Sequence, residues 1–135
     1  MQKDTDWLTG RIKIVPALTA KTFVSVAPSG TDFPFVVVHP QDGTDDTDRL
    51  TGPNINRHPR FTIHSVGKTA QQAQAVGEAV KAQLIVHGFG VVPDVPGEWC
   101  GRVWYSVPTA IQVDKDLTPW WFTHVAECGW PSQTL

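Results

Sequence analysis

The sequence predicts an α+β domain: a mainly antiparallel or mixed sheet of four to five strands, with one long helix packed on one face and a short N-terminal helix. Three observations carry this. Arg60-Phe61-Thr62-Ile63-His64-Ser65-Val66 alternates as a half-buried strand does, with Phe61 and Ile63 on one side and Thr62, His64 and Val66 on the other. Ala73, Val76, Val80 and Leu84 recur at helical spacing and form one apolar stripe. The order of elements is helix, two strands, long loop, strand, helix, two strands, which gives one long helix to one sheet.

Residues 4–15 predict the first helix. Asp4, Thr5 or Asp6 supplies a capping acceptor, and Trp7, Leu8, Ile12 and Val15 fall near one face. Gly10 weakens this helix and Pro16 stops it; Ile12 to Val15 also fits a strand. Thr22 to Val26 alternates and is rich in β-formers. Phe33 to His39 is a continuous apolar run, a strand covered on both faces with Pro34 at its entrance. Pro40 to Pro59 is polar and reads as a long loop, functional or ordered by a partner.

Thr69 caps the main helix, with Gln72 at the capping-box position, and the helix is expected to run to Val86. Gly77 inside it costs about 1 kcal/mol relative to Ala. Its place beside the stripe predicts close packing against a neighbour. Gly88, Gly90, Pro93, Pro96 and Gly97 mark irregular chain. Arg102 to Val107 is a short strand, Ile111 to Pro119 a charged loop, and Trp120 to Cys128 the last strand. Residues 129–135 form an extended tail, and the whole of 1–135 is expected to be a single domain.

Of the 135 residues, 41% are hydrophobic and 18% charged, enough to bury a core. A net charge of -2 argues against a tight grip on DNA phosphates but permits a pore that DNA slides through. No apolar run has the length of a membrane span, and the first residues lack a signal-peptide pattern. Cys100 and Cys128 are expected as reduced, packed thiols.

The sequence carries no GxGxxG, P-loop, HExxH, CxxC or GxSxG pattern. No catalytic residue, metal set or cofactor is therefore expected, and the protein is read as non-enzymatic. His64 and His124 lie in alternating strands that allow them to face one another, but no third ligand has diagnostic spacing, and they read as ordinary strand or surface histidines. A small metal-dependent enzyme built on them and the acidic run is the remote alternative. Asp42, Asp45, Asp46 and Asp48 form the densest charge cluster and fail the EF-hand pattern. They read as a solvated loop, or as carboxylates at a subunit contact or channel wall that repel DNA. Arg49, Arg57 and Arg60 follow and are candidates to pair with an adjacent subunit. Trp120 and Trp121 must point to opposite faces of a strand, so one is expected to meet the helix and the other a partner. Trp130 completes this set of interface candidates.

Several of these stretches, taken together, resemble a known family. Phe33-Pro34-Phe35-Val36-Val37-Val38-His39-Pro40 precedes the acidic run and Arg49-Leu50-Thr51-Gly52-Pro53. Pro59 to Gly67 leads into a Gln/Ala-rich helix ending at His87-Gly88-Phe89-Gly90-Val91-Val92-Pro93, and Cys128-Gly129-Trp130 closes the pattern. Over residues 23–131 this resembles the tail-terminator (tail-completion) proteins of long-tailed bacteriophages, notably those infecting actinobacteria. The resemblance implies a virion protein of the tail or neck, assembled in the host cytoplasm. It implies a hexameric ring at the head-proximal end of the tail tube, which ends tube growth and meets the tube protein and the head-closure protein. DNA would pass through its lumen with transient, non-specific contact, and no membrane is involved. A head-closure (stopper) protein or another neck or tube ring protein is the alternative within the same class.

Overall fold

The computed structural model describes residues 2–47 and 55–134. In chain order the elements are α1 (Gln2–Ile12), a 3-10 turn (Pro16–Leu18), β1 (Thr22–Val24), β2 (Phe35–Thr47), β3 (Ile55–Gly67), α2 (Ala70–Leu84), β4 (Ile85–Val86), β5 (Phe89–Gly90), β6 (Glu98–Cys100), β7 (Trp104–Ser106), β8 (Gln112–Asp114), β9 (Trp121–Gly129) and β10 (Ser132–Thr134). The α+β class is as expected. The sheet is larger than expected, with eight strands among the described residues. The surplus has a simple cause: β6, β8 and β10 have three residues each, too few to show a period of two.

β3 is the spine of the sheet. It pairs antiparallel with β2 along one edge. Its other edge is shared: β9 takes Arg60 to Gly67, and β10 takes Asn56 and Arg57. β7 and β8 extend the sheet beyond β9, β6 extends it beyond β10, and β1 adds to β2 in parallel. The sheet is therefore mixed.

The expected loop from Pro40 to Pro59 is corrected here. β2 continues through Thr47 and β3 begins at Ile55, so most of that segment is the outer half of a long hairpin. Asp, Gly and Pro are depleted in strands, which is why the segment reads as loop. An edge strand tolerates them, and the pairing shifts register between Gln41 and Thr44 to absorb an irregularity. Two smaller corrections follow the same logic. α2 ends at Leu84, not Val86, because Ile85 and Val86 pair with Gly90 and Phe89 across a tight turn. His87 and Gly88 take left-handed φ values of 53° and 81°, as a two-residue hairpin turn requires. The Ile111–Pro119 loop contains β8, and the C-terminal tail contains β10.

α2 starts as predicted. Thr69 Oγ1 accepts from the Gln72 amide at 3.1 Å, while Gln72 Oε1 accepts from the Lys68 amide at 2.7 Å. Its stripe of Ala73, Val76, Val80 and Leu84 is buried against Val36, Val38, Ile63 and Ala126 of the sheet. α1 brings Leu8 and Ile12 into the same core and ends at Ile12, short of the expected Val15. Asp4 does not cap this helix; it lies inside the first turn and is buried. Each such aliphatic side chain contributes roughly 1.5–3 kcal/mol by leaving water.

Candidate interaction surface

Successive residues of a strand point to opposite faces, so the register decides what each face presents. One face of the sheet, with Val36, Val38, Ile63 and Ala126, is covered by α2. The other has no helix on it among the described residues. Along it, Phe35, Val66 and Thr123 are cross-strand partners, then Val37, His64 and Val125, then His39, Thr62 and Glu127. This open face changes character along its length.

At one end it is aromatic. Phe35, Val37 and Val66 are buried beneath Phe23, Ala27, Phe33 and Trp121. Trp121 meets Phe35 and Phe33 edge-on, at 5.4 Å and 5.8 Å between ring centres. Beside this cluster lies an open cavity of about 550 Å³. Phe33, Phe35 and Trp121 form its apolar wall, and Lys68 and Asp32 are its charged groups. A shallower groove of about 250 Å³ runs on over Val37, His39, His64 and Thr123.

At the other end it is polar. The rings of His39 and His64 lie 4.6 Å apart. Partial burial lowers the pKa of both, and for His64 the neighbouring His39 lowers it further. Gln41 donates to the Thr62 hydroxyl. Arg60 lies 3.7 Å from Glu127 and stacks over Trp104 at 5.7 Å.

The predicted site residues divide as follows. Asp42, Asp45 and Asp46 lie on the outer part of β2, whose far edge meets no other strand among the described residues. Asp48 and Arg49 lie outside the described residues. Arg57 is used within the chain: it bridges Asp4, at 3.3 Å, and Glu98. Arg60 is on the open face, paired as above. Trp120 is 50% exposed just before β9, with Lys115 over its ring at 5.2 Å. Trp121 packs on the open face, so neither of these tryptophans meets α2. Trp130 is wholly buried, stacked on Phe61 at 5.3 Å and edge-on to Trp7 at 5.2 Å. Its area fills the core rather than a surface.

The facing of His64 and His124 that the sequence allows does not occur. His124 pairs with Ser65 and His64 with Val125, so the two histidines sit on opposite faces. His124 is buried under α2, and His39 is the true neighbour of His64. Among the described residues, no group of three or more His, Cys, Asp or Glu is placed to hold a metal. Cys100 and Cys128 are buried and not joined in a disulfide. Burial raises the Cys128 thiol to about 12, which keeps it protonated and unreactive. No described helix is long and apolar enough to cross a membrane.

Sequence reading missed Phe33, Phe35 and His39 as parts of one surface. Two further aromatics face outward, Trp99 and Phe89, which are 55% and 65% exposed. The exposed pair carried a usable signal: each belongs to a very short strand bounded by Gly or Pro.

No protein-family model matches the sequence, and no curated protein matches it. Among solved structures, the fold is similar to a chain from the virion of a native gene transfer agent particle. The TM-score is 0.61 at 14% sequence identity, covering 96% of this chain and 90% of that one, so the likeness is one of whole fold.

Proposed function

We propose that this chain is a non-enzymatic structural subunit of a phage-like virion, and specifically a tail terminator. Its copies form a ring, by expectation a hexamer, at the head-proximal end of the tail tube. There the ring ends tube growth and joins the tube to the head-closure protein. The observation that carries this reading is the fold shared, almost end to end, with a chain of a gene transfer agent virion. The sequence resemblance to tail terminators supplies the finer role.

The surface chemistry supports an assembly role. A ring needs two different patches per subunit, because head-to-tail contacts join unlike surfaces. This chain offers an aromatic cavity around Trp121 at one end of its open face and an acidic stretch, Asp42 to Asp46, along the outer part of β2. Acidic groups facing a lumen repel phosphate and keep passing DNA from sticking. In this reading DNA is a transient, non-specific contact.

The test is to remove the gene and image the particles formed. A terminator's loss gives tails of uncontrolled length and heads without tails. Tails of normal length beside heads that leak DNA would place the chain at head closure instead. Normal infectious particles lacking the protein would remove the virion reading altogether.

A further inference from the structure

His39 and His64 have no role in the proposed assembly, yet they bring two metal-ligating side chains together on an open surface. His39 pairs with Thr62 and Val37 with His64, so the two histidines are diagonal neighbours across β2 and β3. Diagonal neighbours on one face are within reach of long side chains. The ring centres are 4.6 Å apart. Neither imidazole hydrogen-bonds to a protein group among the described residues. The groove above them stays open, and Ser25 and Thr123 contribute hydroxyls to its lining.

We propose that His39 and His64 form a two-imidazole site for a divalent transition-metal cation of the Ni²⁺ or Cu²⁺ type. The argument is geometric. A cation sits about 2.0–2.1 Å from each ligating nitrogen. Two imidazoles in adjacent coordination positions then hold their ring centres roughly 4.5 Å apart at a right angle and about 5.2 Å apart at the tetrahedral angle. The observed 4.6 Å is within what one shared cation spans once the nitrogens are turned toward it, and the affinity order of divalent metals favours Ni²⁺ and Cu²⁺ at an imidazole pair. The strand backbone fixes both Cα positions, so only side-chain rotation is needed to aim the nitrogens. Water takes the remaining positions, which face the groove. Imidazole binds metal in its neutral form.

The experiment uses the full chain without an affinity tag. Calorimetric titration with NiCl₂ should show one cation per chain, and His39→Gln or His64→Gln should each weaken it at least tenfold. His87→Gln, on the distant β4–β5 turn, should leave it unchanged. A readout that needs no variant is the imidazole NMR spectrum under sub-stoichiometric Cu²⁺. The His39 and His64 signals should broaden first, ahead of His58, His87 and His124. Uniform broadening, broadening that starts elsewhere, wild-type affinity in both glutamine variants, or no saturable uptake at millimolar nickel would each overturn the proposal.

Discussion

Gly77 of α2 lies directly against the imidazole of His124: a Cβ at position 77 would come within 2.5 Å of His124 Nδ1. The close packing expected of this glycine is thus real, and its partner is a buried histidine. The helix backbone sits lower on the sheet here than any side chain would permit. Tyr105, on β7, marks the same approach, its hydroxyl donating to the Gly77 carbonyl at 3.4 Å.

Gly77→Ala should therefore destabilise the fold despite alanine's better helix propensity. The added methyl forces a clash of the overpacking kind, worth about 1–3 kcal/mol, against a propensity gain of about 1 kcal/mol. A net loss of up to about 2 kcal/mol is expected in urea denaturation. If the clash is with the imidazole, His124→Ala should relieve it, and the double variant should be more stable than the sum of the two changes.

Acid should weaken the fold in a defined window. His39, His64 and His124 all titrate below the ordinary 6.5 in the folded chain. Burial is the leading cause each time; at His124 it outweighs the opposing pull of Glu78. Below pH 6.5 the unfolded chain binds protons that the folded chain does not. Stability is thus full above pH 6.5 and falls as pH drops through the window down to the folded values. Urea midpoints measured between pH 7.5 and 5 should fall with pH, and His124→Gln should flatten that slope.

How much of this was legible depended on element length. α2 was readable from Thr69, Gln72 and its stripe, because a helix of 15 residues repeats its pattern several times. The inner half of β3 was readable from strict alternation. The outer hairpin was not, since Asp42, Asp45 and Asp46 on an edge strand look like loop residues. That miss hid the surface too. His39 and His64 both lie in segments read as strands, but their approach across β2 and β3 follows from hairpin register, and two strands joined by a segment read as a long loop have no assigned register. Trp130 shows the converse: its sequence neighbours Gly129 and Pro131 suggest an exposed tail, while its burial depends on Trp7 and Phe61, far away in the chain.

The tryptophans should separate by role. Trp130→Ala empties a site that is wholly buried and should cost about 3–5 kcal/mol. Trp120→Ala changes a ring that is half exposed and should shift folding stability by no more than about 0.5 kcal/mol. If Trp120 faces a neighbouring subunit, the same variant should fail to assemble into particles while remaining folded. Circular dichroism melts and particle incorporation, measured side by side, distinguish the two outcomes.

Arg57 should behave as a clamp within the chain rather than as an interface residue. It joins α1 to the sheet through Asp4, whose side chain is fully buried, and joins β3 to β6 through Glu98. Ser132 of β10 extends the network by donating to Glu98 at 3.1 Å. Removing the guanidinium leaves two carboxylates in a poorly hydrated place, so Arg57→Ala should cost about 3 kcal/mol. Arg57→Lys should recover only part of this, because an ammonium is a point charge and cannot fork to two acceptors. The neutral triple change Arg57→Met, Asp4→Asn and Glu98→Gln removes charge from all three positions at once. It should be more stable than Arg57→Ala alone, since no unpaired buried charge remains. Denaturation midpoints for these three proteins decide the matter: equal stability of Arg57→Ala and the wild type would mean that the pairs hold nothing.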